Sequence, residues 1–250
     1  VIASMDTGVD AAHPDLGSRW RGGGNSWFDP NGEHPTPADS DGHGTWAMGV
    51  LLGGDASGTA IGVAPGATWI AVKIFNDARI ASLSGIHLGF QWLLDPDGDP
   101  LTDDAPDVVN NSWGFESSPN GCITEFESDI QMLRAAGIAV VFAAGNTGPG
   151  EVSSISPANN TGPVAVGAID TAFTLANFSA RGPSAAGATA APGAAAGASA
   201  ARKVVSTIPP SATCTVLPLT ETEWFSERRR FSTMRVRSCA CTMFTDRRSP

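Results

Sequence analysis

The chain has 250 residues, 42% hydrophobic and 16% charged, proportions that suit one α/β domain with a sizeable core. A formal net charge of -10 argues against a nucleic-acid partner, which needs a basic face to neutralise phosphates. No apolar run approaches the roughly 20 residues of a membrane span.

In chain order, Val1 to Met5 reads as a core strand closed by the turn signal Asp6-Thr7-Gly8. Gly44 to Leu52 is apolar with helical spacing. Thr68 to Phe75 (TWIAVKIF) reads as a buried strand, and Ser82 to Leu94 has helical periodicity. A strand over Asp107 to Ser112 and an amphipathic helix over Glu125 to Ala136 follow. Ile138 to Ala144 (IAVVFAA) and Val164 to Ala168 are the next strands. Strands alternating with helices predict a mostly parallel sheet covered on both faces, with ligands gathering at the carboxyl ends of the strands. The polar residues of interest fall there: Asp6, then Asn111 and Ser112, then Asn146.

After Pro183 the character changes. Eleven of the nineteen residues from Pro183 to Ala201 are Ala. Up to Ala201 the chain carries six Lys or Arg against 21 Asp or Glu, whereas from Arg202 onward it carries nine against four. Cys214, Cys239 and Cys241 lie in this last stretch and Cys122 stands apart; four cysteines in so long a chain do not make a disulfide framework. No strand–helix rhythm is evident past Arg202, and Arg228 to Arg230 read as solvating charge. The expected organisation is a domain over 1-183 and a poorly ordered tail over 184-250, either an Ala/Gly linker with a disordered end or an out-of-frame translation.

Amide hydrolysis by a nucleophile needs a base to take its proton, an acid to orient that base, and donors for the oxyanion. Asp6, at the end of a buried strand in SMDTGVDAAHPDL, is held rigidly enough to hydrogen-bond an imidazole. His43, in DSDGHGTWAMGV, has glycines on both sides that allow close backbone packing. Asn146 ends FAAGN, where its amide could donate to a developing oxyanion, or simply form the turn that Gly145 suggests. His13 reads as a structural loop residue, and His34 and His87 as surface or helix residues with no partner evident in the sequence. Trp46 and Trp113 are the tryptophans nearest the expected site.

Together, IASMDTGVD with its HPDL, DGHGT, GVAPGATWIAVKIF, DVVNNSWG, FAAGN and VAVGAID…ANFSARGPS resemble the subtilisin-like serine proteases (peptidase S8), and NNSWG and HGTWAMG the bacillopeptidase F-like branch. The resemblance runs from Val1 to about Pro183. It implies an α/β, three-layer subtilisin-like fold with a mostly parallel central sheet and helices on both faces. It further implies that Asp6 orients the base, His43 acts as general base and acid, and Asn146 donates to the oxyanion. Ser112, Trp113 and Gly114 would bind an extended peptide as a backbone strand, with Ala143, Ala144 and Gly145 forming one wall of the pocket for the side chain before the scissile bond. The function expected is a secreted, monomeric endopeptidase acting on proteins or peptides through an Asp-His-Ser triad, with no cofactor for catalysis. The chain opens directly on a strand, so the expected form is a mature product or fragment without leader and propeptide.

The family's Gly-Thr-Ser-Met-Ala-x-Pro segment, which carries the nucleophile, is missing. Gly197-Ala198-Ser199-Ala200-Ala201 imitates it poorly, and Ser211 lies after the landmarks Ala191-Pro192-Gly193 and Val205 to Pro209 but has no motif around it. The alternative function is therefore a catalytically dead relative that at most binds peptides. Asp95, Asp97 and Asp99, followed by Asp103 and Asp104, suit either a structural Ca²⁺ site or a solvated acidic loop.

Overall fold

The fold was obtained as a computed structural model. It describes residues 1–56, 58–115, 121–170 and 173–184, together with the backbone of two strands, Cys214–Pro218 and Arg237–Cys241. Ser199, Ser211 and Arg228 to Arg230 lie outside the described residues.

Six strands form one parallel sheet: β1 (Ile2–Asp6), β2 (Trp27–Phe28), β3 (Trp69–Lys73), β4 (Val108–Asn111), β5 (Ala139–Ala143) and β6 (Val164–Val166). Their order is β2-β3-β1-β4-β5-β6, so β2 takes one edge with β3 filling in beside β1, and β4, β5 and β6 then build outward on the other side. Helix α1 (His43–Leu52) lies between β2 and β3 in sequence, α2 (Leu83–Leu94) between β3 and β4, and α3 (Glu127–Ala135) between β4 and β5. The sequence located every one of these elements except β2, whose two residues carry no periodic signal. Observed ends fall within about two residues of the expected ones, the usual scatter of element boundaries.

Alternation along the strands divides the core. Ala3 and Met5 of β1 and Ile70 and Val72 of β3 pack with Ile86, Phe90 and Leu93 of α2 and Ile130 and Leu133 of α3. Trp69 and Ala71, one residue out of phase, pack with Met48, Leu51 and Leu52 of α1 on the opposite face. Helices therefore cover both faces, giving three layers. Because α1 is apolar nearly all round it is the most enclosed helix, whereas α2 and α3 each leave one face in solvent, which mixes polar residues with Leu83, Leu88 and Met132. Ser82 caps α2, its hydroxyl accepting from the Gly85 N–H at 3.0 Å.

Past Arg202, where the sequence offers no element rhythm, β7 (Cys214–Pro218) and β8 (Arg237–Cys241) pair antiparallel, Cys214 opposite Cys241.

Candidate active site

The reversal of strand order at β1 creates a switch point, where the carboxyl ends of parallel strands leave a crevice. Met5 is level with Asn111 and Asn111 with Phe142, so the residues that follow, Asp6, Ser112 and Ala143, emerge side by side from β1, β4 and β5. Sheet register thus gathers three of the sequence-predicted segments at one edge.

Asp6 is 1% exposed. Its Oδ1 accepts from the Thr7 N–H at 2.7 Å and from His43 Nδ1 at 2.6 Å. With Nδ1–H committed to the carboxylate, the lone pair of the neutral ring is on Nε2, which bonds no other described residue. Burial on its own lowers the His43 pKa. The hydrogen bond and charge of Asp6, reinforced by Asp41 and Asp39, outweigh burial and raise it above the ordinary value of 6.5.

His43 opens α1, and a network of hydrogen bonds centred on Thr7 and Asp39 fixes that helix start. The Gly44 N–H donates to Thr7 Oγ1 at 2.9 Å, and Thr7 Oγ1–H donates to Asp39 Oδ1 at 2.9 Å. Asp39 also accepts from the N–H groups of Asp41 and Gly42 and from both the N–H and the hydroxyl of Thr45, at 2.8 and 2.6 Å. Burial raises the Asp39 pKa, but these bonds, led by the Thr45 hydroxyl, outweigh it and hold the carboxyl below its usual range. Gly44 is required by space: a Cβ there would meet the Gly8 carbonyl oxygen at 2.1 Å. Sequence reasoning missed Asp39, Thr7 and Thr45; the only available signal was an Asp four residues before His43, beside a second Asp at 41.

Ser112, Trp113 and Gly114 follow β4. Among the described residues none of their backbone groups makes a backbone hydrogen bond, which leaves an extended segment able to pair with a peptide. The Trp113 ring turns away into the core, 5.1 Å from Phe142 and 5.8 Å from Phe126 between centroids, edge-on to both. Trp46 packs partly buried against the α1-side core. Across the slot, the Ala144 N–H bonds the Val166 carbonyl at 2.8 Å and the Gly145 carbonyl accepts from Ala180 at 2.9 Å, so this wall is tied on both sides. Asn146 follows it, its amide oxygen buried with no hydrogen-bond partner among the described residues.

The remaining histidines correct one expectation. His13 stays in its loop, Nδ1 accepting from the Asp15 N–H at 3.2 Å. His34 and His87, by contrast, do have partners: His34 Nε2 lies 3.0 Å from Asp77, and His87 bridges Asp129 at 2.8 Å and Glu125 at 3.2 Å. These partners are more than 35 residues away, beyond any local pattern. Among the described residues, two groups have ligand atoms within 4.8 Å of one another, Glu33 with His34 and Asp77, and Asp95 with Asp97 and Asp104. A basic side chain already sits at each: Lys73 Nζ is 3.1 Å from Asp77, and Arg21 donates to the Asp104 carbonyl. Asp99 and Asp103, also considered as calcium ligands, fall outside the second group.

A parallel three-layer α/β fold thus carries a buried Asp–His pair at its switch point, and comparison with known proteins gives the family. The chain belongs to the subtilase family (peptidase S8), whose profile matches residues 1–228. Bacillopeptidase F of Bacillus subtilis strain 168 is 39% identical over 204 residues, 74% of this chain and 14% of that protein. The major intracellular serine protease of the same organism is 30% identical over 181 residues, 71% of this chain and 53% of the relative. Among solved structures, a psychrophilic protease superposes with a TM-score of 0.60 at 27% identity, covering 72% of this chain and 58% of that one. The chain therefore spans about half the length of these relatives or less. No helix among the described residues is long and apolar enough to cross a membrane.

Proposed function

We propose that this chain is a serine endopeptidase in which Asp6 orients His43, His43 relays the proton and Asn146 donates to the oxyanion. The observation that carries the reading is the 2.6 Å contact of His43 Nδ1 with a buried Asp6, which leaves Nε2 as the proton acceptor. A peptide laid along Ser112 to Gly114 presents its carbonyl to a serine hydroxyl whose proton passes to Nε2. The carbonyl oxygen becomes an oxyanion that accepts from the Asn146 amide, a donor whose loss costs about 3 kcal/mol of transition-state stabilisation. His43 then returns the proton to the leaving amine, and water repeats the cycle on the acyl-enzyme. The steps use protein groups alone, on protein or peptide substrates, by a monomer working outside the cell. This reading requires a serine from the part of the chain beyond residue 184, where Ser199 and Ser211 are the candidates, or one supplied by sequence this chain does not carry.

A second reading is favoured by the missing Gly-Thr-Ser-Met-Ala-x-Pro segment: a subtilase that binds peptides without cleaving them. One experiment separates the two. The full chain is treated with a fluorophosphonate probe and the adduct mapped by mass spectrometry, alongside Asp6→Asn and His43→Ala. Labelling at one serine, slowed by orders of magnitude in both variants, supports the protease, since losing the orienting carboxylate costs about 10⁴ in comparable triads. No adduct, while a full-length subtilisin reacts in parallel, overturns the protease reading and leaves the second, whose peptide binding is then measured by calorimetry.

A further inference from the structure

Ile155 stands between the two segments assigned above to substrate binding. Its N–H donates to the Ala144 carbonyl at 3.0 Å, which lays it alongside the Ala143 to Gly145 wall. The side chain is 3% exposed. A Cβ built on Gly145 would meet Ile155 Cγ1 at 2.8 Å and Cδ1 at 3.0 Å, and one built on Gly114 would meet Cδ1 at 2.7 Å. Both walls are therefore glycine where they face one another, and the space between them is occupied by this isoleucine. The Ser156 carbonyl lies 2.8 Å from the same Gly114 position and accepts from the Phe115 N–H at 2.8 Å, closing the far side with backbone.

The isoleucine has little freedom to withdraw. Its own carbonyl accepts from the Asn159 N–H at 3.1 Å, so hydrogen bonds tie the backbone on both sides of it. A β-branched side chain is also stiff at χ1.

We propose that Ile155 sets the specificity of this site: it fills the slot between Gly114 and Gly145, so the residue before the scissile bond must be small, of the glycine, alanine or serine class. The inference rests on the reading of Ser112 to Gly114 and Ala143 to Gly145 as the substrate walls. A methylene more or less in an apolar pocket changes selectivity about 10–200-fold, so a phenyl ring set against a methyl group should separate by at least 100-fold.

The test uses the full chain and its Ile155→Val and Ile155→Gly variants. The substrates are acyl-tetrapeptide p-nitroanilides differing only in a last residue of Gly, Ala, Leu or Phe, and the matching free-acid peptides are titrated by calorimetry. The wild type should favour Ala over Phe by about 100-fold in kcat/KM. Ile155→Val should narrow that ratio and Ile155→Gly reverse it. Thermal melts establish that each variant is folded, and if Ile155→Gly is not, the direction of the Ile155→Val shift decides. Equal use of Ala and Phe by the wild type, or an unchanged ratio in the variants, overturns the assignment while leaving the protease intact. Absence of hydrolysis together with free acids that still rank Ala above Phe refutes the protease reading and supports the slot. Peptides that neither bind nor turn over refute both.

Discussion

Replacing Gly44 by alanine sets two opposing effects against each other. In a helix interior alanine is favoured over glycine by about 1 kcal/mol, so on propensity alone the variant gains stability. The added Cβ, however, would lie 2.1 Å from the Gly8 carbonyl oxygen and 3.1 Å from Asp6 Cβ, and the atom it strikes is backbone. Restoring ordinary contact requires the start of α1 to move away from the β1 turn by about 1 Å, and overpacking of this kind costs about 1–3 kcal/mol. The same movement stretches the 2.6 Å contact of His43 Nδ1 with Asp6 beyond hydrogen-bonding range and loosens the 2.9 Å bond from the Gly44 N–H to Thr7. Each such bond contributes about 1 kcal/mol or more, so the clash wins and the net loss is about 2–4 kcal/mol.

That loss is read by thermal unfolding, where 1 kcal/mol moves the midpoint about 2–4 °C for a domain of this size. The histidine is read by proton NMR. Deprived of Asp6 but still largely enclosed, His43 should titrate lower than in the parent chain, because the interaction that opposes burial is gone. A Gly44→Ala chain that melts higher than the parent, with the His43 titration unmoved, would refute the claim that this glycine is there for close approach.

Asp39→Asn places an amide NH₂ against the Thr45 N–H and hydroxyl in place of a carboxylate oxygen. The Thr45 N–H loses its acceptor while the hydroxyl can turn to accept from the amide, so a drop of about 1–2 kcal/mol should appear as a fall of about 2–8 °C in the melting midpoint. Probe labelling should slow as His43 loses its footing. The rate of fluorophosphonate labelling should rise with pH through a midpoint above 6.5, because only neutral His43 accepts the serine proton and its native pKa is raised. Stability should move oppositely at this group: a raised native pKa contributes stability in full below the unfolded value, lost as pH rises through the native one. Asp39, held low, contributes stability above the unfolded carboxyl value that is lost as pH falls through its native one. Ser82→Ala should cost about 1 kcal/mol in urea unfolding and leave labelling unchanged, since that cap lies on α2 and touches no site residue.

Most of the fold is legible in the sequence because its signals are local. Strands such as TWIAVKIF are buried on both faces and read as unbroken apolar runs, and α2 declares itself by helical spacing after a capping serine. The edge strand β2 fails that logic. Its two residues, Trp27 and Phe28, pair with Ala71 and Val72 because β3 offers a free edge, and nothing within the segment itself requires a strand.

The site divides along the same line. Asp6 and His43 are found because each lies in a contiguous motif at an element boundary, and the register of a parallel sheet does the rest. Ile155 has no such marker. In SSISPANN it reads as one more buried apolar residue, and it acquires a consequence only because Gly114, 41 positions earlier, and Gly145, ten earlier, converge on its side chain. Asp39 and Asp41 make the point within a single loop. Both are acidic, both lie within four residues of His43, and both add to its positive shift. Yet Asp39 gathers the helix start with Thr7 and Thr45, while Asp41 meets it through the His43 N–H and spends its other oxygen on Arg79. What separates them is the loop's path, which brings Gly8 against Asp39 in an antiparallel bridge and so sets Asp39 beneath the base. Residues proposed to perform chemistry here are legible from their own neighbours in sequence, whereas those proposed to shape or steady it depend on which distant backbone comes to lie beside them.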